Sequence, residues 1–161
     1  MDSIWAPWRI TYIIAEKEEG CPLCVKDKKD SDRERLILER GDLSYVIMNK
    51  YPYINGHLMV APYRHTGDFL DLKEEESKEI MDLIQLSVKI LKEIMCPDGL
   101  NIGMNIGKVS GAGIKDHLHF HIVPRYNGDT NFLTVLSGIR VINEYLFDTY
   151  DKLIKGFKKY R

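Results

Sequence analysis

Residues 117–124 read HLHFHIVP, so three of the chain's five histidines alternate with apolar residues in one short run. Alternation with a period of two predicts a strand over residues 117–123, because successive side chains of a strand point to opposite faces of a sheet. It places His117, His119 and His121 on one face and sends the intervening apolar side chains into the core. At a rise of about 3.3 Å per residue, neighbouring imidazoles would lie about 6.5 to 7 Å apart, so one phosphate group could contact two of them.

This row of imidazoles is compatible with more than one chemistry. A neutral imidazole can attack phosphorus, a protonated imidazole can donate a proton to a leaving oxygen, and either ring nitrogen can bind a metal ion. A His-x-His pattern on a strand also ligates zinc in unrelated folds. The residues alone therefore leave both a nucleophilic site and a metal site open.

The segments before this run predict an α+β domain on a mainly antiparallel sheet. Five segments have the pattern of strands: residues 35–40, 43–49, 57–61, 100–106 and 117–123. The first two are predicted to form a hairpin at Gly41-Asp42, because glycine accepts a positive φ. We therefore expect a sheet of about five strands joined by short connections.

Two amphipathic helices are predicted to complete this fold. Asp71 begins a capping-box pattern that opens a helix of about twenty residues, which Pro97-Asp98-Gly99 ends. Cys96, near that helix end, is expected to pack in the core. Apolar residues at spacings of three and four predict a C-terminal helix over residues 138–160.

Length and charge exclude several classes of protein. A chain of 161 residues with 44% hydrophobic residues suits one domain, spanning residues 1–161. Its 23 basic and 24 acidic residues give a net charge of -1, which argues against binding of long nucleic acid. No apolar stretch reaches the roughly 20 residues of a membrane span, and the N-terminus lacks the apolar core of a signal peptide. We expect a cytoplasmic protein that does not contact a membrane.

The glycine-bearing loop at residues 107–113 comes immediately before the histidine run. Its backbone amides could converge on phosphate oxygens as an anion nest, although glycines also serve turn geometry. It is not a P-loop, because the Gly-Lys-Ser/Thr ending is missing and a strand follows. Asn49 and Asn105 end their predicted strands near turns, where an amide can hold a ribose hydroxyl or simply form the turn. Both interpretations of each feature remain open.

The N-terminal segment, residues 1–30, carries Cys21-Pro22-Leu23-Cys24. A gap of two residues lets both thiolates reach one tetrahedral ion, but two ligands do not complete a zinc site. In a reducing compartment such a pair is more often a metal clip than a disulfide. The alternative is a reduced dithiol without a metal.

Taken together, these motifs resemble the histidine triad family, whose signature alternates three histidines with apolar residues. The match at residues 117–123 has no gaps. The segments that add to the resemblance are Asn49, Asn55-Gly56-His57, residues 107–113 and residues 124–132. Trp5-Ala6-Pro7-Trp8-Arg9 and Arg140-Val141-Ile142 look like the prokaryotic branch related to diadenosine tetraphosphate phosphorylases. The resemblance implies a homodimer with a sheet continued across the interface.

The same resemblance implies roles for individual residues. His119 would become transiently nucleotidylated, with a backbone carbonyl holding the proton on its other ring nitrogen. His121 would donate hydrogen bonds to phosphate oxygens, and Asn49 would contact ribose. The remaining substrate-binding positions implied are Asn105, Gly111, Ala112, Gly113 and Ile114. His57 is interpreted as a structural histidine at the start of a strand.

In zinc-bearing prokaryotic relatives, two histidines complete the metal site of the cysteine pair. The resemblance therefore implies a structural zinc bound by Cys21, Cys24, His65 and His117, with no organic cofactor. It implies a nucleotide hydrolase or transferase that acts on dinucleoside polyphosphates or related small nucleotides, by hydrolysis or by phosphorolysis. Two alternatives are a hydrolase in which the three triad histidines hold a catalytic zinc, and a nucleotide-binding protein without enzymatic activity.

Overall fold

The structure, a computed structural model, describes residues 20–27, 29–129 and 142–160. In this part of the chain, five strands form one sheet in the order β1-β2-β3-β5-β4, and all neighbouring strands are antiparallel. The strands are β1 (Ile37–Arg40), β2 (Ser44–Met48), β3 (Leu58–Pro62), β4 (Gly99–Gly103) and β5 (Phe120–Arg125). The predicted α+β fold with a five-stranded antiparallel sheet is confirmed.

Within the described ranges, three α-helices accompany the sheet: α1 (Asp32–Arg35), α2 (Glu74–Ile94) and α3 (Leu146–Tyr160). Short 3-10 helices cover Lys29–Ser31 and Phe69–Asp71. Helices α2 and α3 pack together against one face of the sheet, where they bury the apolar stripe of α2. None of the helices described is long and apolar enough to cross a membrane.

The two faces of the sheet bury different partners. On the helical face, Leu58, Val60 and Ile122 pack with the apolar stripes of α2 and α3. On the other face, the segment that carries the cysteine pair covers the sheet, and its Leu23 and Val25 are almost completely buried. The side chains of that segment therefore lie on the face opposite the helices.

The histidine run differs from its predicted geometry. Strand β5 begins only at Phe120, so His117 and His119 lie on the approach to the strand. There the chain leaves the ladder with β3, because the amide of Leu118 donates to the carbonyl of Thr66 at 2.7 Å. The prediction of a regular strand over residues 117–123 is therefore wrong at its first three residues.

The predicted hairpin between β1 and β2 is present, but its glycine serves another purpose. Gly41 is not among the glycines with a positive φ. Instead, a Cβ atom at Gly41 would lie 2.7 Å from the carboxylate of Glu79. That carboxylate accepts hydrogen bonds from the amides of Asp42 and Leu43, both at 2.8 Å. A larger residue at this position would have to displace the Glu79 carboxylate from the turn that it caps.

Two helix starts and one cysteine also differ from their predictions. The first residue of α2 is Glu74, preceded by Lys73, whose amide donates to Glu76, so Asp71 is not its cap. The C-terminal helix begins at Leu146; residues 138–141 lie outside the described residues, and residues 142–145 are not helical. Cys96 is exposed, with a φ of 47°, and does not pack in the core.

Candidate functional site

The second and third histidines of the run lie side by side at the start of β5. Their rings are 4.9 Å apart and nearly perpendicular, which is closer than the spacing expected from the rise of a strand, and His119 precedes the strand. His119 is only 6% exposed and His121 is half-buried, so the row is not openly exposed to solvent. On the neighbouring strand, Gly103 pairs with His121, and a Cβ atom there would meet no other atom within 4 Å. This leaves open space on that side of His121.

A hydrogen bond fixes the tautomer of His119. Its Nδ1 atom lies 2.8 Å from the carbonyl oxygen of His117. Because a carbonyl can only accept, Nδ1 carries the proton, and in the neutral ring Nε2 holds a lone pair. In the described residues, no partner occupies Nε2. This is the arrangement that a nitrogen nucleophile requires.

A chain of hydrogen bonds likewise fixes the tautomer of His121. The amide of Tyr53 donates to Nδ1 of His57 at 3.2 Å, so the proton of neutral His57 is on Nε2. That Nε2 lies 2.9 Å from Nδ1 of His121 and donates to it. The proton of neutral His121 is therefore on its own Nε2, which can donate to a ligand.

Burial keeps two of the histidines uncharged at neutral pH. Burial, helped by repulsion from His119, lowers the pKa of His121 to about 4. Burial also lowers the pKa of His117, against the opposing effect of its hydrogen bond to the carbonyl of Pro62. The hydrogen bonds of His117 and His121 are therefore formed by neutral rings at physiological pH.

His57 belongs to this site, although the sequence predicted only a structural role for it at the start of a strand. It is 1% exposed, and the ring of Tyr53 lies 4.7 Å from its own. Its contact with His121 depends on the register of β3 with β5, in which Met59 opposes His121. Periodicity cannot provide that register, although the position of His57 immediately before an apolar strand is a usable signal.

The two asparagines predicted to bind substrate are placed differently from each other. Oδ1 of Asn49 accepts from the amide of Tyr51 at 2.9 Å, and its Nδ2 lies 3.3 Å from Nδ1 of His57. Asn49 thus supports the histidine chain. Asn105 lies beside the glycine loop, with its Nδ2 3.8 Å from the position that a Cβ of Gly111 would occupy.

The loop before the histidine run is folded by turns of its own. Gly107 and Gly111 have positive φ values of 80° and 90°. The amide of Gly111 donates to the carbonyl of Lys108, and that of Ala112 to the carbonyl of Gly107. Of the four positions predicted to line the phosphates, Gly111 and Ala112 therefore use their amides inside the loop, which leaves those of Gly113 and Ile114 as candidates.

The first histidine of the run belongs to a second cluster, formed with Cys21, Cys24 and His65. Their ligand atoms all lie within 4.8 Å of one another, so these four side chains can hold a metal ion. Nδ1 of His117 is 3.4 Å from Sγ of Cys21 and 3.8 Å from that of Cys24. Nδ1 of His65 lies 3.5 Å from Sγ of Cys24. The run therefore has two parts. His117 belongs to the metal cluster, and His119 and His121 form a separate pair of imidazoles that can contact a substrate.

Comparison with known proteins agrees with this geometry. Residues 31–128 match the family model described as HIT domain. The chain is 37% identical over 157 residues to a protein of Mycobacterium tuberculosis named AP-4-A phosphorylase, covering 92% of this chain and 80% of that protein.

Two solved structures share the fold. One, a Zn-bound histidine triad family protein from Mycobacterium smegmatis, has a TM-score of 0.69 and 24% identity, and the match covers 88% of this chain and 95% of that one. The other, a hypothetical histidine triad nucleotide-binding protein from Sulfolobus tokodaii, has a TM-score of 0.67 and 27% identity, with coverages of 86% and 90%.

Proposed function

Because the chain belongs to the HIT domain family, we propose that it is an enzyme that cleaves dinucleoside polyphosphates or related nucleotides at the α-phosphate. The reaction proceeds through a nucleotidyl-histidine at His119. The relative named AP-4-A phosphorylase, which matches over 92% of this chain, supports diadenosine tetraphosphate as the substrate to test first.

The observation that carries this proposal is the hydrogen bond from Nδ1 of His119 to the carbonyl of His117. It keeps the lone pair on Nε2, which forms a bond to the α-phosphorus while the bond to the leaving phosphate oxygen breaks. The positive charge that develops on the ring is stabilised by the same carbonyl. The nucleoside monophosphate is then held on Nε2 through a phosphoramidate bond.

The neighbouring groups bind the phosphate oxygens and the ribose. Nε2–H of His121 donates to a phosphate oxygen, since its other nitrogen is occupied by His57. The amides of Gly113 and Ile114 provide further donors where negative charge develops in the transition state. Asn105 and Asn49 are the candidates for the ribose hydroxyls.

The acceptor of the second step decides between hydrolysis and phosphorolysis. Water releases AMP, whereas inorganic phosphate releases ADP; in both cases ATP is the other product from diadenosine tetraphosphate. Incubation with the substrate labelled at its α-phosphates, with and without phosphate, therefore identifies the acceptor. The overall match to a protein named as a phosphorylase leads us to expect ADP when phosphate is present.

Replacement of the nucleophile tests the mechanism. His119→Asn should lose at least about 10⁴-fold in turnover, because no other group in the described site offers a lone pair to phosphorus. AMP affinity should stay within about tenfold, since an amide of similar shape fills the same space. An acid-labile, base-stable label should be trapped on the wild-type protein and be absent from the variant.

Two outcomes of that experiment would contradict the mechanism. Turnover that survives in His119→Asn would exclude His119 as the nucleophile. Nucleotide binding without turnover in the wild-type protein, on any substrate of this class, would favour a non-enzymatic nucleotide-binding protein.

The metal cluster is proposed to hold a structural zinc. Around a tetrahedral zinc with bonds of about 2.0 to 2.3 Å, neighbouring ligand atoms lie about 3.3 to 3.8 Å apart. The three distances between sulfur and nitrogen in the cluster, from 3.4 to 3.8 Å, fit that range. Two thiolates and two imidazoles leave no open position for a substrate, and zinc there would tie the cysteine segment to the sheet.

This assignment argues against a catalytic zinc on the triad. Both ring nitrogens of His117 have partners, the thiols at Nδ1 and the carbonyl of Pro62 at Nε2, so His117 has no nitrogen left to bind an ion together with His119 and His121. A chelator is therefore expected to leave residual turnover, whereas immediate and complete loss would favour the catalytic zinc.

We further propose that the protein is a homodimer that works in the cytoplasm as a single domain, residues 1–161. Strand β4 ends the sheet, and most of its residues are exposed, which suits continuation of the sheet into a second copy. The described residues include all three cysteines and form no disulfide between them, which suits a reducing compartment.

A further inference from the structure

His117 belongs to both halves of the site through different atoms. Nδ1 faces the two thiols, and Nε2–H donates to the carbonyl of Pro62 at 2.9 Å. Its own carbonyl oxygen accepts the Nδ1 proton of His119 at 2.8 Å. One residue therefore connects the metal ligands to the atom that sets the tautomer of the nucleophile.

The other histidine of the cluster is tied to the same backbone. His65 is followed by Thr66, whose carbonyl accepts from the amide of Leu118 at 2.7 Å. A Cβ atom at Gly67 would lie 2.7 Å from the carbonyl oxygen of Lys115, so the two segments are in close contact. A displacement of His65 by the binding or loss of an ion would therefore reach the peptide group between His117 and Leu118, whose carbonyl oxygen accepts from His119.

The cysteine segment has anchors that do not depend on a metal. Leu23 and Val25 are buried, and the hydroxyl of Tyr45 donates to the carbonyl of Leu23 at 2.7 Å. Loss of the ion is thus expected to free the ligand side chains while the segment stays packed. Its effect on His119 would then be local and would not arise from unfolding.

We propose that His117 couples metal binding to nucleotide binding: an ion held by Cys21, Cys24, His65 and His117 fixes the carbonyl that holds the Nδ1 proton of His119. Without the ion, the ring of His117 and its peptide group gain freedom, and His119 populates both neutral tautomers. Only the tautomer with the proton on Nδ1 presents its lone pair to phosphorus. His117 is thus a positioning residue, and the inference rests on the proposed function for its nucleotide.

Coupling between two binding sites is reciprocal, which allows a test that does not depend on turnover. The zinc affinity of the metal-free protein is measured by competition with a chromophoric chelator, with and without saturating AMP. AMP should tighten zinc binding about fivefold or more, and zinc should tighten AMP binding by the same factor. Circular dichroism of the metal-free protein checks that it remains folded.

A second measurement observes His119 directly. Long-range ¹⁵N NMR spectra distinguish the two neutral tautomers of each ring, and zinc should convert His119 from a mixture to the form protonated on Nδ1. His65→Gln, which removes a ligand and keeps His117 in the chain, should weaken zinc binding and shift the His119 signals toward the metal-free pattern. Cys96→Ser, the matched control at the exposed third cysteine, should behave as wild type.

The results separate this inference from the proposed function. Identical AMP affinity with and without zinc, together with unchanged His119 signals, would overturn the coupling and leave the proposed function intact. Absence of AMP binding by the zinc-loaded protein would overturn the proposed function, and the NMR signals would still decide whether zinc sets the tautomer. Failure of zinc to bind the wild-type protein would overturn the inference.

Discussion

At the scale of single residues, the imidazole of His121 connects protonation to stability. Burial lowers its pKa from 6.5 to about 4. Between these two pH values, the imidazole is protonated in the unfolded chain and neutral in the folded protein. The stability contributed by neutral His121 is fully present above pH 6.5 and is lost as the pH falls toward 4. We expect the free energy of unfolding to fall by about 1 kcal/mol from this group between pH 6.5 and 5, allowing for its partial solvent contact.

Chemical denaturation at several pH values measures this effect. In His121→Asn the decline between pH 6.5 and 5 should be shallower than in the wild type, because asparagine does not titrate. Carboxylates such as Glu76, whose pKa is lowered by Arg64, contribute below this window. Equal slopes for the two proteins would show that His121 is not protected from protonation in the folded state.

Residue chemistry was predictable where it is local in sequence and not where it depends on strand register. The carbonyl that holds Nδ1 of His119 was expected from the mechanism, and it belongs to a residue two positions earlier. The contact between His57 and His121 joins residues 64 positions apart, so no local pattern contains it. The turns that use the amides of Gly111 and Ala112 could not be predicted from composition either. Many loops have a similar glycine content, and that content does not show which amides form turns inside the loop.

At the scale of elements, Gly156 allows α3 to approach α2 closely. A Cβ atom there would lie 2.7 Å from the Cγ2 of Ile90 and 2.7 Å from the Cδ1 of Ile94. Gly156→Leu should therefore force the helices apart and lower the free energy of unfolding by about 2 kcal/mol or more. Lys155→Leu, at the exposed neighbouring position, should cost little, and equal losses in the two variants would contradict close packing at Gly156.

The elements themselves were largely predictable, while their ends were not. Alternation and helical spacing indicated five strands and two long helices, because each element buries one apolar face. The ends are set by side chains from elsewhere: Glu79 of α2 caps the hairpin, and Glu76 accepts from the amide of Lys73. Strand β5 begins only at Phe120, because the amide of Leu118 donates to the carbonyl of Thr66 and not to strand β3. These are tertiary contacts, which periodicity along the chain does not contain.

At the scale of the whole molecule, the two edges of the sheet are unequal. At one edge, Ile37 and Leu38 of β1 are buried. At the other edge, β4 is mostly exposed, and Ile102 presents half of its surface to solvent. An exposed edge strand with an exposed apolar residue can pair with another strand. In the proposed homodimer, β4 of a second copy would form hydrogen bonds with this strand.

Ile102→Lys should therefore weaken the dimer, because the substitution places like charges close together across a two-fold interface and removes apolar contact. Sedimentation velocity across a range of concentrations should show a dimer for the wild type and a shift toward monomer for the variant. Leu70→Lys is the matched control, since Leu70 is an apolar residue that is 89% exposed in a 3-10 helix outside the sheet. A monomeric wild type, or a dimer that tolerates Ile102→Lys as well as it tolerates Leu70→Lys, would remove β4 as the interface.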